Sequence, residues 1–188
     1  MTRFDKTLAA DAVEAMGFSA ANRKLARYWL SGWNGDEPPM RNAILPSKIK
    51  DLLAGIAIIE LRHDGTAYCR LAGSAICMGL GIDITGKDVL ALMPPEFRAE
   101  RRTRYERVVA GAISRNVKRI LNRFNQTILV EDIQLPLSGG ADGSQIIYHA
   151  DWRPQTMDRS APEILRGLGT AEDETVSIVR QAPIRAAG

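Results

Sequence analysis

Apolar positions along the chain change period several times, and each change marks an element. In SAANRKLARYWLSGWNG, Leu25, Tyr28, Trp29 and Trp33 recur on one helical face, with Arg23, Lys24 and Arg27 elsewhere around the wheel. Ser19 supplies an N-cap and Gly35 a stop, which predicts a helix over residues 19–34. Residues 1–18 are Ala-rich and weakly patterned and read as an arm. After the Pro38-Pro39 connector, Pro46, Ile49, Leu52, Leu53 and Gly55 predict a short helix.

The period then shortens to that of strands. IAIIELR and AYCRLA flank an Asp-Gly dipeptide, the strongest short hairpin signal. If Asp64-Gly65 form a two-residue turn, His63 faces Thr66, Glu60 faces Cys69 and Ile59 faces Arg70. SAICMGLG predicts one or two helical turns after Gly73, and DITGKDVLALM a loop. Pro94-Pro95 open the longest helix, where Phe97, Arg101, Arg104, Tyr105, Val108 and Ala112 share a side and the arginine stems lie along apolar surface. NVKRILNRF, NQTILVEDIQLPL and SQIIYHADW predict three more strands, separated by the turn-like FNQ and SGGADG; Pro136 falls near the end of its strand.

The mixed-charge segment 155–188 reads as a tail, either flexible or docked through a short helix around Glu163–Leu168. Strands segregated around a helical middle predict an α+β domain over 19–154, with the last strand beside the first in one five-stranded antiparallel sheet.

The 188 residues, 45% hydrophobic and 25% charged, match one soluble domain. No stretch approaches the roughly 18 apolar residues of a spanning helix, and no secretory h-region opens the chain, so a cytoplasmic protein with two free thiols is expected, with no membrane partner. The net charge of +3 is uneven: segment 96–123 holds nine Lys/Arg against three Glu. Such a segment is either a solvated helix face or a docking surface for an anion such as nucleic acid. The second use would draw on Arg98, Arg101, Arg102, Arg104, Arg107, Arg115, Lys118 and Arg119, but lacks interleaved aromatics for base stacking.

Catalytic patterns are sparse. His63 and His149 are the only histidines and carry no metal-ligand spacing. Ser74 sits in AGSAI rather than G-x-S-x-G, and Glu131 and Asp132 alternate to opposite faces of a strand. The Gly-rich stretches form neither a dinucleotide fingerprint nor a Walker loop. What remains for an enzyme is Glu60 near Cys69, or a Cys–His pair using Cys69 or Cys77, on a small open α+β barrel. The aromatic stripe Leu25, Tyr28, Trp29 and Trp33 has two uses, packing on the domain's own sheet or forming a homodimer seam. A homodimer through this stripe is expected.

The ordered series LARYWLSGWNGDEPPMRN, IKDLLAGIAIIELRHDG, YCRLAGSAI, LGIDITGKDV and VEDIQLPLS resembles a PAS-like family of small bacterial, mostly alphaproteobacterial, single-domain proteins. Its members look like R-Y-W with a following Gly, an aromatic-Arg-Leu-x-Gly-Thr corner, an L-T-G segment and a strand ending E-x-x-x-x-P-L. The resemblance covers about residues 22–153. It implies a PAS fold, with short helices and one longer helix on one face of the sheet and the N-terminal helix flanking the core. It also implies a sensory or scaffolding module in signal transduction that binds a small ligand, a protein partner or both, without catalysis.

Two positions depart from the family's corner: Cys69 stands where an aromatic is usual, and Ser74 where Thr is usual. A cysteine there enlarges the pocket that the resemblance implies, for which the candidates are Cys69, Leu71, Ile76, Cys77, Leu80, Ile133 and Tyr148. Arg70 and Gly73 are read as the brace and turn of the corner, with Asp151 as one partner for Arg70. No cofactor is expected. The flavin type needs Asn-Cys-Arg on a helix, whereas Cys69-Arg70 lie on a strand, and a haem type needs a histidine on the middle helices.

Overall fold

The computed structural model describes residues 4–121, 127–139, 143–154, 165–166 and 173–178. Asp5 caps the first helix, α1 (Lys6–Ala15), by accepting from the amides of Thr7 and Leu8. Ser19 likewise accepts from the Asn22 amide and opens α2 (Ala20–Ser31). The hairpin strands are β1 (Ile56–Arg62) and β2 (Ala67–Ala72), followed by α3 (Ser74–Leu80) and α4 (Pro95–Val109). Strands β3 (Ala112–Leu121), β4 (Thr127–Leu137) and β5 (Gly143–Pro154) complete the domain's antiparallel sheet in the order β2-β1-β5-β4-β3. The last strand lies beside the first, as segregated strands require when no connection crosses. The segment 46–55 is more tightly wound than the expected helix, forming separate 3₁₀ turns at Pro46–Lys48 and Leu53–Gly55.

Both faces of the sheet are covered. One face carries Ile58, Ile113, Ile133, Leu135 and Ile147 under α1 and α2, with Leu25 and Trp29 fully buried and Trp33 nearly so. The Trp29 indole meets Trp33 edge-on at 5.1 Å and donates to the Pro136 carbonyl at 2.7 Å. These side chains therefore form the domain's own core, which corrects the expectation of a dimer seam through Leu25, Trp29 and Trp33. Tyr28 is half-buried and its hydroxyl accepts from the Leu45 amide. The arm 1–18 contributes to the same core, since Ala9, Val13 and Phe18 are buried in it. The flanking helix is thus not peripheral.

The hairpin register differs near its turn. Arg62 N donates to Thr66 O, so His63, Asp64 and Gly65 all lie in the loop, with Gly65 at φ +86°. A glycine in that left-handed conformation lets a longer loop keep the strand twist. Glu60 consequently faces Tyr68 and Ile59 faces Cys69, one position from the expected pairs. The register slips between Ile59 and Ile58, and Ile58 then faces Leu71. Arg70 is the extra residue of this β-bulge.

At the corner, Gly73 has an ordinary φ of −70°. Its requirement is space, because a Cβ there would stand 2.3 Å from the Leu53 and Ala54 carbonyl oxygens. Beyond the domain, β6 (Leu165–Arg166) runs parallel to β3 and β7 (Asp173–Ile178) antiparallel to it, so the described part of the tail extends the sheet edge. The expected helix around Glu163–Leu168 is replaced at Leu165–Arg166 by strand, and its other residues lie outside the described set. So do residues 122–126 and 140–142, on which the FNQ and SGGADG turns were expected.

Candidate ligand cavity

Alternation along the strands sends Ala57, Ile59, Lys118, Val130, Tyr148 and Trp152 to the face opposite α1 and α2. There they meet Ile76 and Leu80 of α3, Ile84, Val89 and Met93 of the following loop, and Arg101 and Tyr105 of α4. A cavity of about 60 Å³ remains between these layers. The Trp152 ring closes against Gly79, where a Cβ would come within 2.4 Å of the ring edge. Leu92, 39% exposed, stands on the lining's solvent side.

The floor of the cavity is polar. Asp132 is fully buried, takes the Lys118 ammonium at 3.0 Å and accepts from the Asn116 amide at 2.8 Å and from Gln134 at 3.3 Å. Burial pushes its carboxyl up, but the charges of Lys118 and Arg101 prevail and hold it below the ordinary value. Burial pulls the Lys118 ammonium down against the pull of Asp132. Desolvation raises the phenols of Tyr105 and Tyr148, so both keep their protons.

The sequence-derived pocket residues divide. Ile76, Leu80 and Tyr148 line the cavity. Cys69 is buried in the same apolar layer but does not reach the void, and its thiol donates to the Leu71 carbonyl at 3.3 Å. Burial pushes that thiol up to about 11, the reverse of activation. Cys77 is half-buried with Sγ 3.5 Å from Asp83 Oδ1, and both cysteines are free. Leu71 is 49% exposed because the bulge at Arg70 turns it outward. Ile133 lies on the opposite face, under α2. Leu71 and Ile133 are therefore removed from the pocket.

Arg101, Tyr105, Lys118 and Trp152 line the cavity but are not among the sequence-derived pocket candidates. The signal was two arginines on the apolar side of α4, read as stems lying along apolar surface. The structure buries Arg101 and Arg104 outright, each 6% exposed.

Other candidates resolve elsewhere. Arg70 pairs with Glu60 at 2.7 Å, not with Asp151, and Glu60 also takes Arg62 at 2.9 Å and Gln145 at 3.1 Å. Burial raises the Glu60 carboxyl, yet these donors together bring it below its usual value. Glu60 projects to the face away from Cys69, so the two form no catalytic pair. His149 is buried, with Nδ1 2.6 Å from Asn22 Oδ1, while His63 is exposed in the turn. No group of three or more metal-ligating side chains occurs among the described residues.

The basic segment does not make one patch. Lys118 and Arg115 bind the carboxylates of Asp132 and Glu131, and Arg104 binds Glu100 at 2.5 Å. Arg98 donates to the Met93 and Ala91 carbonyls and Arg102 to that of Gly65. Arg107 is exposed, and the Arg119 side chain lies outside the description. No described helix is long and apolar enough to cross a membrane.

Among solved structures, the chain is similar to the PAS domain of Bordetella pertussis BvgS, with 15% identity, a TM-score of 0.42, and coverage of 58% of this chain and 82% of that one. It is also similar to an RNA-binding light-oxygen-voltage receptor, with 14% identity, a TM-score of 0.39, and coverage of 77% of this chain but 48% of the receptor. No curated protein matches. The PAS domain family model matches residues 17–148, and the chain belongs to the PAS domain family.

Proposed function

We propose that this domain is a sensory module whose input is a small molecule bound between the sheet and the α3–α4 layer, and whose output is a contact with a signalling partner. The observation that carries the reading is the cavity, an apolar chamber with a few convergent polar groups, which is the usual composition of a small-molecule site. It is bounded on one side by α3 and the loop 82–93, short elements that a ligand can displace. The domain has no catalytic activity of its own in this account. The Cys69 thiol is held protonated and the Glu60 carboxylate is saturated by Arg62, Arg70 and Gln145. Free thiols agree with a cytoplasmic setting.

A thermal-shift screen of small molecules against the full chain tests this, with an Ile59→Phe variant that fills the cavity as control. Ligands are expected to raise the wild-type melting temperature and to lose most of that effect in the variant. Compounds that stabilise both proteins equally bind elsewhere and contradict the assignment.

A further inference from the structure

The polar groups of the cavity are nearly all donors. Arg101 is 94% buried by its residual 6% exposure, lies beside the phenols of Tyr105 and Tyr148, and has no hydrogen bond or ion pair among the described residues. Neither phenol has a hydrogen-bond partner among those residues, and the buried Trp152 Nε1 has none either. A buried charge without a partner is strongly disfavoured, and a guanidinium cannot escape by losing its proton. Among the described residues, the carboxylate beneath the cavity is that of Asp132, which Lys118 takes at 3.0 Å. Among the described residues the Arg101 charge is therefore without an ion-pair partner, lining the void with Tyr105, Tyr148 and Trp152.

Resting on the sensory reading above, we propose that the cavity binds a short aliphatic monocarboxylate, with its carboxylate on Arg101, Tyr105 and Tyr148 and its hydrocarbon part against Ile59, Ile76 and Val89. The anion is single because Asp132 already balances Lys118. It is short because about 60 Å³ is well below the roughly 150 Å³ of an apolar cavity that admits benzene. A planar carboxylate also suits the fork of an arginine better than a spherical ion would.

The test is a titration of the full chain with sodium acetate, followed by the NMR signal of the Trp152 indole N–H, which a Trp152→Phe variant identifies. Acetamide, of the same shape without the charge, and sodium chloride at equal ionic strength are the controls. Saturable movement of the Trp152 signal with acetate is expected, with acetamide at least about tenfold weaker, the size of a lost charge-assisted hydrogen bond. Arg101→Gln abolishes the preference for the acid, and Arg101→Lys restores part of it. If Arg101→Gln fails to fold, Tyr105→Phe and Tyr148→Phe carry the test, each weakening acetate but not acetamide. Equal binding of acid and amide, or acetate affinity unchanged in those variants, overturns the carboxylate assignment and leaves a neutral-ligand cavity. No response to acetate alongside cavity binding by other compounds overturns it in the same way. No response to any compound in this titration or the thermal screen overturns both the assignment and the sensory reading.

Discussion

His149 Nδ1 lies 2.6 Å from Asn22 Oδ1, joining the centre of β5 to the first turn of α2. The Asn22 amide group donates to the backbone and side-chain oxygens of Glu131, so its oxygen is the atom that faces the imidazole. His149 must then donate from Nδ1, which fixes its neutral tautomer. Burial holds its pKa down to about 4.

A pH dependence follows, with a definite sign. The unfolded chain binds a proton on His149 that the fold refuses, so stability is full above about pH 6.5 and falls as the pH drops toward 4. Between pH 7.5 and 5.5, above the range where carboxylates titrate, this one group should remove about 1 kcal/mol. Urea unfolding of the wild type and of His149→Gln at both pH values checks it. The variant should show a flatter dependence, and equal slopes would contradict the buried neutral imidazole.

Trp29 should behave as a core residue. Trp29→Ala removes the largest fully buried side chain and leaves the Pro136 carbonyl without its donor. A loss of about 3–5 kcal/mol is expected, as for large-to-small changes in a core. Light scattering with denaturant melts separates the possibilities: a variant that keeps its stability but changes oligomeric state would restore the dimer seam.

Glu60 sits between two cations that are each about a third exposed, Arg62 at 33% and Arg70 at 34%. Solvent screening makes either one expendable, so Arg62→Ala or Arg70→Ala alone should lower stability by only about 1 kcal/mol. Removing both leaves a buried carboxylate without a counter-charge, and the double variant should lose about 3 kcal/mol or more. A double-mutant cycle measures this excess, and strict additivity would show that the arginines do not share the carboxylate.

The cysteines should differ in reactivity. Cys77 is half-buried, whereas Cys69 is fully buried with its thiol raised to about 11. In the native protein a disulfide reagent should titrate one thiol quickly and the second only on unfolding, and Cys77→Ser should delete the fast phase. A fast phase that survives in Cys77→Ser would mean that Cys69 is accessible.

The parts legible in the sequence are those with high contrast between faces. Leu25, Trp29 and Trp33 announce α2 because its other face is charged, and the segregated strands announce the sheet order. Helix α1 was obscured because it packs through Ala9 and Ala12, which add little contrast. The bulge at Arg70 was hidden because Asp64-Gly65 fits two loop lengths, and only the longer one demands an extra residue later in β2. Its consequence was the misplacement of Leu71. Ile133 was misplaced for a different reason: β4 is buried on both faces, so its pattern does not say which side meets α4. Arg101 was obscured because a buried arginine and a snorkelling one leave the same mark. In the tail, Val176 and Ile178 alternate as a strand requires, but Glu172, Asp173 and Glu174 precede them and read as solvated.

The central claim is that the space between the sheet and the α3–α4 layer is where this PAS domain receives its signal. A crystal structure of the full chain grown with its best stabilising small molecule tests this most directly. The account predicts ligand density enclosed by Ile59, Tyr105 and Trp152, with α3 or the loop 82–93 displaced. Density on the opposite face beside Ile58, or at the surface with the cavity unchanged, would contradict it.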